Sequence, residues 1–202
     1  ALTSQNFTTA TDSNNVAVGM LAGANVTTGT LNTLIGSLAG DALTVGNSNT
    51  ALGQGALSSD TKGDTSVAIG ILALQDQNFT TSTDVYNTAV GAFAGENVTT
   101  GVRNSIIGGL AGDALTVGGN NVTMGYASLS LDTKGSGSVA IGAGALNVQN
   151  FTTATTTHNT AVGLDAGKAV TTGTDNTLIG SLSGDAITDG NTNTAVGSFA
   201  LT

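Results

Sequence analysis

His158 is the only histidine in the chain, so general-base chemistry near neutral pH would have to be organised around it. It stands just before Asn159, where two related stretches carry Asn14 and Tyr86, and a position that accepts all three side chains reads as solvated surface. No Ser/His/Asp set can form around it, and no pair of carboxylates recurs in every copy of the repeat described below. Three aspartates, Asp41, Asp113 and Asp185, do recur, but at intervals of 72 residues. The calcium nonapeptide Gly-Gly-x-Gly-x-Asp is absent. With no cysteine there is neither a disulfide framework nor a thiolate metal site. The Asp60-Lys62 and Asp132-Lys134 pairs read as exposed charges of little energetic weight. These residues predict no catalysis, no metal and no cofactor.

The elements that carry them repeat. Asn87-Thr88-Ala89-Val90-Gly91 returns as Asn32 to Gly36, Asn49 to Gly53, Asn159 to Gly163 and Asn193 to Gly197, and looser copies bring the total to eleven. The closing glycines, from Gly19 to Gly197, are spaced 17, 17, 17 and 21 residues apart, then the same four again, then 17 and 17. Three coils of 17 and one of 21 make a 72-residue super-repeat, with copies at about 5–76, 77–148 and a partial 149–202. A fixed period of this size is the signature of a solenoid. Four coils then separate Asp41 from Asp113, roughly 19 Å, which is too far to share an ion within one chain.

Each unit reads as a short strand. The residue before the glycine is always large and apolar: Val18, Ile35, Leu52, Ile69, Val90, Ile107, Met124, Ile141, Val162, Ile179 and Val196. Alternation places this row on one face of the strand, expected to be the interior of the coil. The opposite face, with Ala17, Leu34, Ala51 and Ala68 and their counterparts, is also small and apolar and is expected to pack on neighbouring chains. Leu34, Ile106 and Leu178 would be the bulkier interchain contacts. Asn15, Asn32, Asn49, Asn87, Asn104, Asn121, Asn159, Asn176 and Asn193 head nine units and Ser66 and Ser138 the other two, which predicts a hydrogen-bonded ladder of stacked amides. A second file of Thr27, Thr44, Thr61 and successors precedes a second glycine corner by two residues. Two strands and two tight corners per coil predict a flattened β-roll, and eleven coils a rod of roughly 50 Å.

Composition agrees. With seven aromatics, no Trp and thirty Gly, an apolar content of 39% rests on Ala, Val, Leu and Ile, so the core must be thin and finely repeated. Absence of Pro suits a long backbone ladder. A formal charge of −9 argues against nucleic acid as a partner, and no apolar run approaches the ~18 residues of a membrane span. Neither end of the chain has the polar, atypical repeat that caps a solenoid, which leads us to expect a single uncapped segment, residues 1–202, of a longer array.

The pattern Asn-(Thr/Ser)-(Ala/Val)-(Val/Ile)-Gly-x-x-Ala resembles the head repeats of trimeric autotransporter adhesins. Thr65-Ser66-Val67-Ala68-Ile69-Gly70 and Gly137-Ser138-Val139-Ala140-Ile141-Gly142 are the nearest stretches. The 17-residue form, as in Gly91 to Gly101, is similar to repeats of phage and bacterial tail-fibre proteins. The resemblance implies an all-β, left-handed parallel β-roll, three chains about a common axis, and an extracellular surface fibre that attaches to a receptor or glycan. The 21-residue coil departs from the adhesin pattern, so no receptor is carried over.

The expected function is therefore the repeat region of an adhesin head or shaft on a cell surface, with a phage tail-fibre shaft on a virion as the alternative. An ice-binding rod fits less well, because the Thr file has no second regular row beside it. A solenoid enzyme fits less well for want of a repeated site. The four extra residues recur at Gln5-Asn6-Phe7-Thr8-Thr9, Gln77-Asn78-Phe79-Thr80-Thr81 and Gln149-Asn150-Phe151-Thr152-Thr153. Insertions leave a solenoid sideways, so Phe7, Phe79 and Phe151 are either lids over the widened coil or lateral contacts to a partner. Asn-x-Thr sequons at Asn6, Asn25, Asn78, Asn97, Asn121 and Asn150 are candidate glycan acceptors.

Overall fold

Stacking at one coil per rung builds the molecule. The computed structural model describes residues 1–202 and contains no helix. Its strands are β1 (Val16–Val18), β2 (Thr33–Ile35), β3 (Thr50–Leu52), β4 (Gly63–Asp64), β5 (Val67–Ile69), β6 (Thr83–Asp84), β7 (Thr88–Val90) and β8 (Ser105–Ile107). They continue with β9 (Val122–Met124), β10 (Gly135–Ser136), β11 (Val139–Ile141), β12 (Thr155–Thr156), β13 (Thr160–Val162), β14 (Thr177–Ile179) and β15 (Thr194–Val196). Eleven of them form one parallel sheet in the order β1-β2-β3-β5-β7-β8-β9-β11-β13-β14-β15. Every pairing holds equivalent residues opposite one another, as in Ala17↔Leu34 and Leu34↔Ala51. The chain is a parallel β-solenoid of eleven coils.

A second strand in every coil is not what the structure shows. Only β4 with β6 and β10 with β12 form a second parallel pair, each between a third coil and the long fourth coil. Elsewhere that side is a series of turns tied to the next coil by isolated bonds, such as Thr27 N–H to Thr44 O at 2.9 Å. The Thr hydroxyls of this file are used the same way, Thr27 Oγ1 donating to Thr44 O at 3.1 Å and Thr99 Oγ1 to Thr116 O at 3.1 Å.

The corners hold a conformation the sequence did not announce. Twenty-five non-glycine residues have positive φ, among them Leu38 (61°), Tyr86 (56°) and Arg103 (59°). Left-handed geometry costs an L-residue about 1–2 kcal/mol. Here it aims the backbone N–H at the adjacent coil: Leu38 N donates to Met20 O at 2.9 Å and Arg103 N to Val85 O at 2.9 Å. A buried or half-buried N–H left unpaired would cost at least as much. Gly36 has the sharper constraint, since a Cβ there would overlap the carbonyl of Gly53.

The two faces of the main strand are the reverse of the expectation. Leu34, Ala51, Ala68, Ala89, Ile106, Ala140, Ala161 and Leu178 are fully buried inside the coil. Val18, Leu52, Ile107, Met124, Ile179 and Val196 face out, and Ile35, Ile69, Val90, Ile141 and Val162 are only half-buried. So the row assigned to the core lies outside, and Leu34, Ile106 and Leu178, assigned to interchain contact, are the core. The reason is volume. The flattened coil is one thin layer, and what faces the strand decides what fits. Where the strand gives Leu34, the far side gives glycine: a Cβ on Gly23 would strike Leu34 Cδ1, and one on Gly40 would strike Leu34 Cδ2. Where the strand gives Ala51 or Ala68, the far side gives buried Leu57 or Leu74. Where both sides are small, as at Ala17 and Gly23, the leucines of the adjacent coils, Leu2 and Leu34, fill the space, so the interior stays close-packed. A file of Val and Ile in every coil would overfill it.

This arrangement makes Ile106→Ala a cavity mutation. It should destabilise the chain by about 2–5 kcal/mol, read as a lowered urea midpoint. A midpoint equal to that of the unaltered chain would mean that this row is not the core.

Candidate functional site

Two features stand out from the repeat: a polar seam through the interior and an apolar strip on the outside. The seam begins with the asparagine file. Asn15 Oδ1 accepts from Asn32 N at 2.8 Å, Asn32 Oδ1 from Asn49 N at 3.0 Å and Asn49 Oδ1 from Ser66 N at 2.9 Å. Each amide also donates across the coil, Asn32 Nδ2 to Gly46 O at 2.9 Å and Asn49 Nδ2 to Gly63 O at 2.9 Å. Asn87, Asn104, Asn121, Asn159 and Asn176 repeat both of these bonds, and Asn193 ends the file, donating its backbone N–H and its Nδ2 to Asn176 Oδ1. The file thus closes the glycine corner of one coil and receives the backbone of the next.

At Ser66 and Ser138 the amide is missing, and a glutamine reaches in to replace it. Gln77 Nε2 donates to Ser66 Oγ at 2.9 Å and to Asp60 Oδ2 at 2.6 Å, while its Oε1 accepts from Asn87 Nδ2 at 2.9 Å. Asp60 Oδ1 accepts from Gly63 N at 3.0 Å and Phe79 N at 3.1 Å. Gln149, Ser138, Asp132, Asn159 and Phe151 repeat the set. Asp60 and Asp132 are fully buried, so they are not the exposed charges that their pairing with Lys62 and Lys134 suggested. A carboxylate with this many donors, three of them backbone N–H groups at Asp60 (Lys62, Gly63 and Phe79) and two at Asp132, is satisfied in spite of its burial. Gln5 holds the equivalent place ahead of β1 and is half-buried.

This seam explains the long coil. Asp60 holds the backbone of Phe79, and Thr61 Oγ1 donates to Phe79 O at 2.8 Å. Thr80, Thr81 and Ser82 then swing out to solvent before β6 rejoins β4. Phe79 and Phe151 fold in as lids, 8% and 7% exposed, and Phe7 is half-buried, so the two inner copies do not present a lateral contact. Sequence reasoning missed Asp60, Gln77, Asp132 and Gln149. A signal was there: they replace the apolar Val26 and Leu43 of the earlier coils, in step with the two serines that interrupt the asparagine file.

The outer strip carries an apolar row that runs from β1 to β15. Val18 is 58% exposed, Met124 43% and Val196 67%. Beside them on each strand lies a row of Val, Thr and Ser, from Val16 to Thr194. Eleven strands at about 4.8 Å by three residues at about 3.3 Å give roughly 500 Å². Tall side chains flank it, including Met20, Leu21, Leu164 and Phe199, all exposed. The area of the strip matches the largest patch an ordinary monomer shows water, and the flanking side chains widen it toward the ~800 Å² per partner of a standard interface.

The remaining polar candidates stay apart. His158 lies on an exposed corner, its Nδ1 3.3 Å from Asp175 Oδ1 of the next coil. Asp41 and Asp113 are held above the ordinary carboxylate value by burial, with Glu96 adding repulsion at Asp113. Of the sequon asparagines, Asn121 is fully buried in the file, whereas Asn6, Asn25, Asn78, Asn97 and Asn150 are exposed.

Fold and seam together define a parallel β-solenoid repeat protein with one apolar long face. In comparisons with known proteins, no family model, curated protein or solved structure matches the chain.

Two outcomes follow from the seam and from Asp113. Gln77→Ala leaves Asp60, Ser66 and Asn87 short of a partner, so it should cost about 2–3 kcal/mol or more; Gln54→Ala, at an exposed corner, should cost almost nothing. Equal urea midpoints for the two would remove the seam's role. Asp113 has a folded pKa raised above its ordinary 3.8, so the folded state holds the proton more tightly than the unfolded chain. Stability is therefore lost as pH rises from about 3.8 through the folded value. Asp113→Asn should raise the melting temperature at pH 7 and flatten its pH dependence above 3.8; an unchanged profile would show that burial of this carboxyl is not felt.

Proposed function

We propose that this chain is the repeat region of an extended extracellular fibre, assembled from three copies as left-handed β-rolls side by side, that holds an attachment surface away from its anchor. The observation that carries the reading is the apolar strip running the whole length of a regular rod. A coil-to-coil ladder resists bending along the rod, and an apolar face of this length and flatness favours a second rod of the same repeat. The corrected faces invert the route of assembly: contact runs through the Val18, Ile35, Leu52 and Ile69 row and not through Leu34. The wording of Ser66 to Gly70 supports a bacterial surface adhesin, whose partner would be a receptor or glycan on the attached surface. The 17-residue coil favours a phage tail-fibre shaft as the second reading, and both place the rod outside a cell, on its surface or on a virion.

Light scattering of the purified chain should give the mass of three copies. Ile107→Asp, on the exposed row, should shift it to one copy while the β-type circular dichroism persists. A strictly monomeric unaltered chain at high concentration would overturn the assembly. Rod-coated beads that bind no cell surface and no glycan on an array would overturn the attachment role.

A further inference from the structure

The threonine file, on the far side of the coil from the main sheet, is not threonine throughout. Asn78 and Asn150 take its place in the long coils, and Asn6 holds the same position ahead of β1. Their backbones stay in the ladder: Asn78 N donates to Thr99 O at 3.0 Å, Asn150 N to Thr171 O at 2.9 Å and Asn6 N to Thr27 O at 3.0 Å. Each opens an Asn-Phe-Thr triplet, and the three triplets lie 72 residues apart. Four coils separate one from the next, roughly 19 Å along the rod.

The chain has six Asn-x-Thr triplets in all, and the fold uses them in two different ways. At Asn25 and Asn97 both polar ends are spent on the next coil. Asn25 Nδ2 donates to Asp41 O at 2.8 Å and Asn97 Nδ2 to Asp113 O at 2.7 Å. Two residues on, Thr27 Oγ1 and Thr99 Oγ1 donate to Thr44 O and Thr116 O. At Asn121 the amide is buried in the asparagine file, and Thr123 Oγ1 donates to Ser128 O at 2.9 Å. In these three the ladder accounts for both the asparagine and the threonine.

The Asn-Phe-Thr triplets are the opposite case. The side chain of Asn78 engages its neighbour only through Oδ1, which accepts from Thr61 Oγ1 at 3.0 Å, and Asn150 Oδ1 accepts from Thr133 Oγ1 at 3.2 Å. Their Nδ2 groups donate to no atom of the chain, and neither do the hydroxyls of Thr80 and Thr152. In all three copies the asparagine and the threonine two residues on are exposed. Between them Phe79 is pinned, its N–H by Asp60 and its carbonyl by Thr61, so both free ends of the triplet are held in water.

An N-linked sugar needs those two groups together: the amide nitrogen that is modified and the hydroxyl that marks it as an acceptor. We infer that Asn6, Asn78 and Asn150 are glycan acceptors, one in each super-repeat, and that Asn25, Asn97 and Asn121 are not. In the transfer, Nδ2 bonds C1 of a nucleotide-activated hexose as the C1–O bond to phosphate breaks. The nucleotide diphosphate leaves, and the amide proton passes to a base of the transferase. The product is a line of sugars roughly 19 Å apart on the side away from the apolar strip. The modification does not depend on the assembly proposed above and holds for one copy or three.

The test applies UDP-glucose and a soluble asparagine glycosyltransferase, one that modifies free peptides of residues 23–29 and 76–82 alike, to the folded chain. Mass spectrometry of its fragments should find hexose at Asn6, Asn78 and Asn150. Breaking two hydrogen bonds to reach Asn25 or Asn97 should slow transfer there about ten-fold or more. Equal rates at the two sets, or no hexose at either, would overturn the assignment. Thr80→Ala should abolish transfer to Asn78 and leave the urea midpoint unchanged, whereas Thr99→Ala should lower the midpoint. A midpoint lowered by Thr80→Ala as much as by Thr99→Ala would show that this hydroxyl serves the fold, and would likewise overturn the assignment.

Discussion

Each coil of this protein is hydrogen-bonded to the coil before and the coil after, and almost nothing else in the structure is free of that requirement. The N–H of Leu38 reaches Met20 O and that of Gly40 reaches Ala56 O. Such bonds form only if every coil follows the path of its neighbours, so the backbone is dictated rung by rung. The glycines that close the main-sheet strands from Gly19 to Gly180 lie under a neighbouring carbonyl, where no Cβ fits. Leucine, tyrosine and arginine accept positive φ at the corners because the ladder returns more than the conformation costs.

The same constraint limits the interior. Coils locked at one spacing and flattened between two corners leave a single layer of side chains. Variety is then possible only as exchange across the layer: Leu34 against Gly40, Ala51 against Leu57. In third and fourth coils the exchange becomes polar, with Asp60 and Gln77 in place of Val26 and Leu43. Those two side chains carry the asparagine file past its interruption and pin the chain where four extra residues leave the stack. The long coil is therefore a planned junction in the rod and the lid Phe79 is part of it.

A core this thin takes a leucine or isoleucine only where a small residue lies opposite, as at Leu34 and Ile106, so a row that is large in every coil is left outside. That is why the row with the largest side chains is the one water sees, and why the proposed assembly runs through it. The rod is held by its ladder and seam, and its outer face makes no contact within the chain's own core. Outward residues are not tied to the volume of the coil, so the corner residues beside the strand, such as Asn14, Tyr86 and His158, differ widely between super-repeats.

The spacing of the closing glycines, read alone, determined the number of coils, the parallel stacking, the 72-residue super-repeat and the place of the insertions, because a ladder forces equivalent residues into register. The asparagine file was legible for the same reason. Which face of the strand is inside was not. Alternation divides Leu34 from Ile35 without saying which side is enclosed, and both rows are apolar. The choice rests on what lies across the coil, and Gly23, Gly40, Leu57 and Leu74 face the strand only once the corners have folded. Asp60 and Gln77 were hidden likewise, 17 residues apart in the chain but 2.6 Å apart in space. Periodicity belongs to the sequence, whereas inside and outside belong to the closed coil.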